Sequence, residues 1–315
     1  MLEKRVLPDS RNNMAVISKA AIACRKYWIG EIKKLSGNFG TDSDRVESEL
    51  ASEIASGGVN SLLDHLRLCG DIPESYGHDS SEEKLYSKYT DAILAESFRA
   101  LGLTAVVLKE RADAADVEAF GKGFSLVGDA KTFRLSRTAK NAKDFKIQAM
   151  DGWKRGKPYA VVVCPINQMP TRASQIYQQA CARNVAILSY SHFAVLASYA
   201  EATAPRKAES ALLKVLEAVE NLNVSKDAVS YWSCVNRVML SHDKRIAGYW
   251  KTEKIAATES IDISKEIALE YLASEREKLA RMSHADAIKE LLRVHKIDAR
   301  VRTIKAVSPS GLLDV

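Results

Sequence analysis

Long hydrophobic runs are missing from this 315-residue sequence. The most sustained apolar stretch, residues 159–166, is far short of the roughly 20 residues that a membrane-spanning helix needs. The opening Met1-Leu2-Glu3-Lys4-Arg5 leads into no hydrophobic signal segment, so a cytoplasmic protein without a membrane partner is expected. Cysteine is scarce. Cys24, Cys69, Cys164, Cys181 and Cys234 form no CxxC pair and are odd in number, which argues against both a disulfide framework and a zinc knuckle. His65, His78, His192, His242, His284 and His295 show neither metal-ligand spacing nor a Ser/His/Asp order, which disfavours histidine-centred hydrolysis. Gly121-Lys122-Gly123 lacks the third glycine of a dinucleotide-binding loop.

What is present is enough for a sizeable core: 46% of the residues are hydrophobic and 27% charged, within the range of an ordinary globular chain. The formal net charge of +6 says little by itself, but its distribution is uneven. Between residues 131 and 157 nine basic residues face only Asp144 and Asp151. A solvated helix face gives such a run, and so does a surface that meets a polyanion.

The periodicity divides the chain into three regions. Residues 1–79 are helical in pattern, with Ile17, Ala20, Ala21 and Cys24 at helical spacing and breaks at Gly37, Gly40, Gly57 and Gly58. Residues 80–200 open with a helix start, Ser80-Ser81-Glu82-Glu83, whose helix runs to about Leu101. Strands follow at 103–108, 116–120 and 125–133, the last two joined by a hairpin turn at Gly121-Lys122-Gly123. A helix over 136–153, a strand over 159–164 stopped by Pro165, a helix over 171–183 and a strand over 185–190 complete the order αβββαβαβ. Residues 201–315 return to helical patterns, notably over 261–295. The expected class is α/β (α+β), one mixed core flanked by helices.

The sharpest constellation is Asp116, the hairpin, and Asp129-Ala130-Lys131. Side chains alternate along a strand, so Asp129 and Lys131 share a face, and an antiparallel partner can set Asp116 opposite them. Two carboxylates and a backbone carbonyl, that of Ala130, are the hard oxygen ligands that Mg2+ prefers, and an adjacent lysine can orient or help deprotonate an attacking water. Phosphodiester hydrolysis needs this set, because charge develops on the phosphate in the transition state. A solvent-exposed ion pair between Asp129 and Lys131 is the plainer alternative, and Asp113 and Glu118 are rival acids to Asp116. Directly downstream, Arg134, Ser136, Arg137, Thr138, Lys140, Asn141, Lys143 and Lys146 are of the types that contact phosphates and base edges, on a helix suited to the major groove. With one acid-acid-lysine set per chain, cutting both strands of a duplex calls for a symmetric homodimer.

These residues also carry a resemblance. Residues 128–130 (Gly-Asp-Ala), 131–146 (Lys-Thr-Phe-Arg-Leu-Ser-Arg-Thr-Ala-Lys-Asn-Ala-Lys-Asp-Phe-Lys), the Tyr-Ala-Val at 159, Glu83-Lys84-Leu85 with Ser87-Lys88, and Ser174-Gln175-Ile176 together resemble the HindIII family of type II restriction endonucleases, over roughly residues 80–195. The resemblance implies a PD-(D/E)xK restriction-endonuclease-like core with Asp116 and Asp129 as metal ligands and Lys131 as the catalytic lysine. It further implies Mg2+ dependence, a homodimer, a cognate DNA methyltransferase, and double-stranded DNA cut to 5′-phosphate ends at AAGCTT. Ala115 stands where the superfamily's proline would be, and the turn between the two acids is shorter than the family's. Glu83, at the helix start before the core, reads first as an ordinary N-terminal helix acid and second as a further metal carboxylate. A repair or recombination nuclease on the same core, and a DNA-binding module that has lost catalysis, are the alternatives.

Overall fold

The structure, a computed structural model, describes residues 15–109, 114–137, 142–222 and 228–306. Each of the first three helices begins on a polar cap. The Ser18 hydroxyl accepts from the Ala21 N–H at 3.0 Å ahead of α1 (Lys19–Ile32), and the Asn38 side chain accepts from Thr41 at 3.2 Å ahead of α2 (Phe39–Leu68). Ser80 caps α3 (Ser81–Ala100), with Glu82 and Glu83 in its first turn. The glycine pair expected to end a helix instead kinks one: Gly58, at φ +65°, sits inside α2 in a conformation that costs other residues dearly. Asp91, Leu94, Ala95 and Phe98 form one buried stripe on α3, the stripe that meets the sheet.

Five strands form that sheet in the order β1 (Thr104–Val107), β2 (Val117–Gly121), β3 (Phe124–Ala130), β4 (Tyr159–Cys164), β5 (Val185–Ser189). β1, β2 and β3 pair antiparallel; β3, β4 and β5 pair parallel. β4 and β5 are buried along their whole length, as strands covered on both faces must be, and this is why they read as unbroken apolar runs. With α4 (Ile147–Trp153) and α5 (Ile176–Ala182) as the crossovers, the observed order from α3 onward is the expected αβββαβαβ in a mixed α/β fold.

Three boundaries differ from expectation. No helix spans 136–153: a 3-10 turn, Ala142–Phe145, is followed by Lys146 at φ +49°, and that left-handed residue delays the helix until Ile147. The helix expected from 171 begins only at Ile176, behind a turn closed by the Ser174 N–H to Thr171 carbonyl bond. The long strand expected over 125–133 stops at Ala130. Beyond it the Lys131 N–H still donates to the Val163 carbonyl at 2.7 Å, and then Phe133 leaves β4 for a bridge to Asp71.

Helices α6 (Tyr190–Ala202), α7 (Pro205–Glu220), α8 (Ala228–His242) and α9 (Ile246–Ala280) follow. The helical pattern expected as one run over 261–295 is interrupted, because Ser283 caps a separate α10 (His284–Val294), followed by α11 (Ile297–Lys305). The chain divides into two compact units after Glu266. Helices α10 and α11 bury none of their residues, and the second unit exposes Leu269, Leu272, Leu279, Leu291 and Ile304 among other large apolar side chains. No helix among the described residues is long and apolar enough to cross a membrane.

One buried group makes the first unit sensitive to acid. The His192 ring stacks on Trp232, accepts from the Ser189 N–H at 3.1 Å through Nδ1, and reaches Asn236 Oδ1 at 3.1 Å through Nε2. Burial, only partly offset by Asn236, pushes its pKa down to about 4. The folded state therefore binds fewer protons than the unfolded chain between about pH 4 and 6.5, and stability falls as the pH drops through that window. About 2 kcal/mol is expected to disappear between pH 7 and pH 5 through this residue. Because the raised carboxyls of Asp91 and Asp129 act in the opposite sense over this range, the check is the difference: urea unfolding at the two pH values should show the wild type losing about 2 kcal/mol more than His192→Gln.

Candidate active site

The site is built where β3 runs out. The β2–β3 register pairs Val117 with Gly128, and its continuation places Asp116, one residue ahead of β2, opposite Asp129. Asp116 is fixed there by its carbonyl, which accepts from the Leu108 N–H at 2.8 Å. Gly128, next to Asp129, sits under α3: a Cβ there would come within 3.0 Å of Leu94 Cδ2 and 3.1 Å of Phe98. The missing side chain lets the helix lie close on the strand, so the polar end of the same helix stripe, Lys88 and Asp91, arrives at the acids.

Lys131 Nζ pairs with Asp129 Oδ2, and Lys88 Nζ bridges Asp91 Oδ2 at 3.0 Å and Asp116 Oδ1 at 3.1 Å. Five ionisable groups thus share one pocket. Asp129 is fully buried, and burial raises its carboxyl to about 6 in spite of Lys131, with the neighbouring Asp116 adding to the rise. Burial would raise Asp116 as well, but the contact with Asp129 and the Lys88 ammonium hold it below the usual carboxylate range. The two acids titrate as a pair, which gives up its last proton at a higher pH than a free carboxylate would. Asp91, buried and close to Asp116, is pushed well above the usual range. Lys131 stays charged because Asp129 outweighs the cost of its burial.

Asp116, Asp91 and Lys131 line a cleft of about 540 Å³ whose walls also include Lys88, Arg137, Lys143 and Lys146, while Asp129 itself is buried. Among the described residues neither carboxylate oxygen of Asp129 has a donor in hydrogen-bond geometry, although both are buried. A buried carboxylate with one oxygen against the Lys131 ammonium and the other without a donor among the described residues, beside a second carboxylate, is a donor set that fits a hard divalent cation such as Mg2+.

The structure treats the sequence-selected residues unequally. Asp116, Asp129 and Lys131 come together, and the Ala130 backbone ends the strand between them. Glu83 does not join them: it accepts from Arg134 Nε at 3.3 Å and from the Asp79 N–H at 2.6 Å. Glu118 is taken by Lys157 at 2.7 Å, away from the acid pair. Arg134 also donates to the Pro73 and Gly77 carbonyls, Ser136 is held by Glu74 at 2.8 Å, and Arg137 pairs with Asp144 and lies over the Phe133 ring. Those three residues pin the segment down, while Lys143 and Lys146 line the cleft. Thr138, Lys140, Asn141 and the rival acid Asp113 lie outside the described residues. Sequence reasoning missed Lys88 and Asp91, although their spacing with Leu94, Ala95 and Phe98 on one helix stripe was a readable signal.

A family model described as HindIII restriction endonuclease matches residues 25–308. Over 139 residues the chain is 45% identical to the type II restriction enzyme HindIII of Haemophilus influenzae. That alignment covers 44% of this chain and 46% of the relative, so it spans a little under half the length of either.

Proposed function

Because the chain belongs to the HindIII restriction endonuclease family, we propose that it cuts double-stranded DNA as a Mg2+-dependent type II restriction enzyme, at the palindrome AAGCTT and with staggered 5′-phosphate ends. The observation that carries this reading is the buried Asp129 paired with Lys131, beside an Asp116 that lines a cleft together with Lys88, Lys131, Arg137, Lys143 and Lys146.

Asp116, Asp129 and the Ala130 carbonyl would hold the ion, with Asp91 as the further carboxylate in the place first considered for Glu83. Bound there, Mg2+ supplies charge neutralisation at the phosphate and a water of lowered pKa. Lys131, kept charged by Asp129, orients the attacking water and offsets charge on the non-bridging oxygens as the transition state forms. The β4 backbone sets its position through the Val163 carbonyl.

Lys143 and Lys146 contact phosphates in this reading. Replacing either by alanine should weaken binding to every DNA sequence alike and lower the salt slope by about one counterion. Fluorescence anisotropy with specific and random duplexes over a salt series checks this. Alanine at Arg134 or Ser136 acts differently, through the ties to Glu83 and Glu74 that hold the segment.

The working unit is a homodimer in the cytoplasm, partnered in the cell by a methyltransferase that protects the host's own sites. The apolar side chains exposed by the second unit support a partner of the same kind. Digestion of plasmid DNA with Mg2+, followed by sequencing of the ends, tests the whole reading. Discrete fragments with ends inside AAGCTT are expected; cutting at branches or lesions without a short palindrome would overturn it.

A further inference from the structure

A second cluster of ligand-type side chains lies in the N-terminal helices, built from residues whose spacing in sequence matches no metal motif. Cys24 belongs to α1, while Glu53 and His65 belong to the two halves of α2 on either side of the Gly58 kink. A sulfur, a carboxylate oxygen and an imidazole nitrogen from these three all lie within 4.8 Å of one another. Glu53 Oε1 is 3.1 Å from Cys24 Sγ and 3.3 Å from His65 Nε2. With metal bonds of about 2.0 to 2.3 Å, tetrahedral ligand atoms stand roughly 3.3 to 3.7 Å apart, so the imidazole and carboxylate are already at that spacing and the sulfur need withdraw only by about half an ångström.

His65 gives the independent sign. Its side chain is only 2% exposed, and among the described residues Nε2 makes no hydrogen bond of regular geometry, its contact being the Glu53 carboxylate at 3.3 Å. A buried ring nitrogen without a regular hydrogen bond is unusual and needs an explanation. The other ring nitrogen is spoken for: Nδ1 is 2.7 Å from the Tyr89 hydroxyl. If Nδ1 carries the proton, the Nε2 lone pair points into the cluster, the orientation that outer partners impose on metal-binding histidines. Trp28 Nε1–H fixes the carboxylate in the same way, donating to Glu53 Oε2 at 2.7 Å.

We propose that Cys24, Glu53 and His65 form a site for a borderline-soft divalent ion, zinc by preference, distinct from the carboxylate site at the end of β3. Thiolate and imidazole select against Mg2+, and three protein ligands leave a fourth position for water. Cys24 and Glu53 are partly exposed, which gives the ion a way in. The ion would tie α1 to both halves of the kinked α2 beside Tyr89, on the helix that carries Lys88 and Asp91. Binding must displace the thiol proton, so loading releases acid.

The test uses the full chain, stripped with a chelator and titrated with Co2+ in the presence of Mg2+. One equivalent of Co2+ should produce thiolate-to-cobalt charge-transfer absorption, and one equivalent of Zn2+ should abolish it and raise the melting temperature. Cys24→Ala should lose the absorption entirely. Tyr89→Phe should keep it but bind Co2+ roughly 10- to 100-fold more weakly. Wild-type protein that gives no thiolate band overturns the proposal, and so does a band that survives in Cys24→Ala. Because the decisive spectrum is that of the wild type, a variant that failed to fold would not shield the site from refutation.

Discussion

Asp129→Asn or Lys131→Ala should reduce plasmid cleavage by roughly 10³-fold or more while leaving a folded protein that still binds DNA. Asparagine keeps the shape of Asp129 but removes the charge on which a cation and the Lys131 ammonium both depend. Alanine at 131 removes the ammonium and leaves the acid pair with Lys88 as its cation. Neither change touches the apolar contacts of β3 and β4, whose pairing runs through backbone groups. Three measurements separate the cases: cleavage in Mg2+, duplex binding in Ca2+, which fills an oxygen site but activates water poorly, and thermal melting. An Asp129→Asn protein that folds and cleaves at near the wild-type rate would remove the site from consideration.

The second large effect concerns strand count. A dimer of one wild-type and one Lys131→Ala protomer should nick a supercoiled plasmid and almost never linearise it, because each protomer would attack one strand of the palindrome. The pure wild-type dimer should linearise the same plasmid in one binding event. Sedimentation should give twice the 34.7 kDa chain mass at micromolar concentration. Linear product from the mixed dimer at the wild-type rate, or concerted double-strand cutting by a monomer, would refute the half-site arrangement.

Asp129 and Lys131 were legible from the sequence because strand alternation and hairpin pairing are local rules, and Asp116 followed once the turn was located. The observed register bears this out by setting Asp116 opposite Asp129. Lys88 and Asp91 lay hidden for a different reason. The helix stripe that they extend was readable, but that this stripe packs on β3 over Gly128, about 40 residues downstream, is a contact that periodicity does not carry. The local structure of the basic segment, expected as one helix over 136–153, was hidden for the same reason. Glu74 and Glu83, which hold Ser136 and Arg134, are more than 50 positions upstream, and a left-handed Lys146 cannot be read from a lysine.

The ammonium of Lys88 between Asp91 and Asp116 has a bearing on biosynthesis. Three acids facing two lysines carry a formal surplus of one negative charge, and the raised carboxyls of Asp91 and Asp129 let the site shed that surplus by taking up a proton as the medium turns acid. A newly made chain can therefore close its interior around these groups without waiting for any ion from the cell. If the proposed ion enters after folding, maturation and arming are separate events in time, and a stock of finished protein would answer to the ion supply rather than to the ribosome.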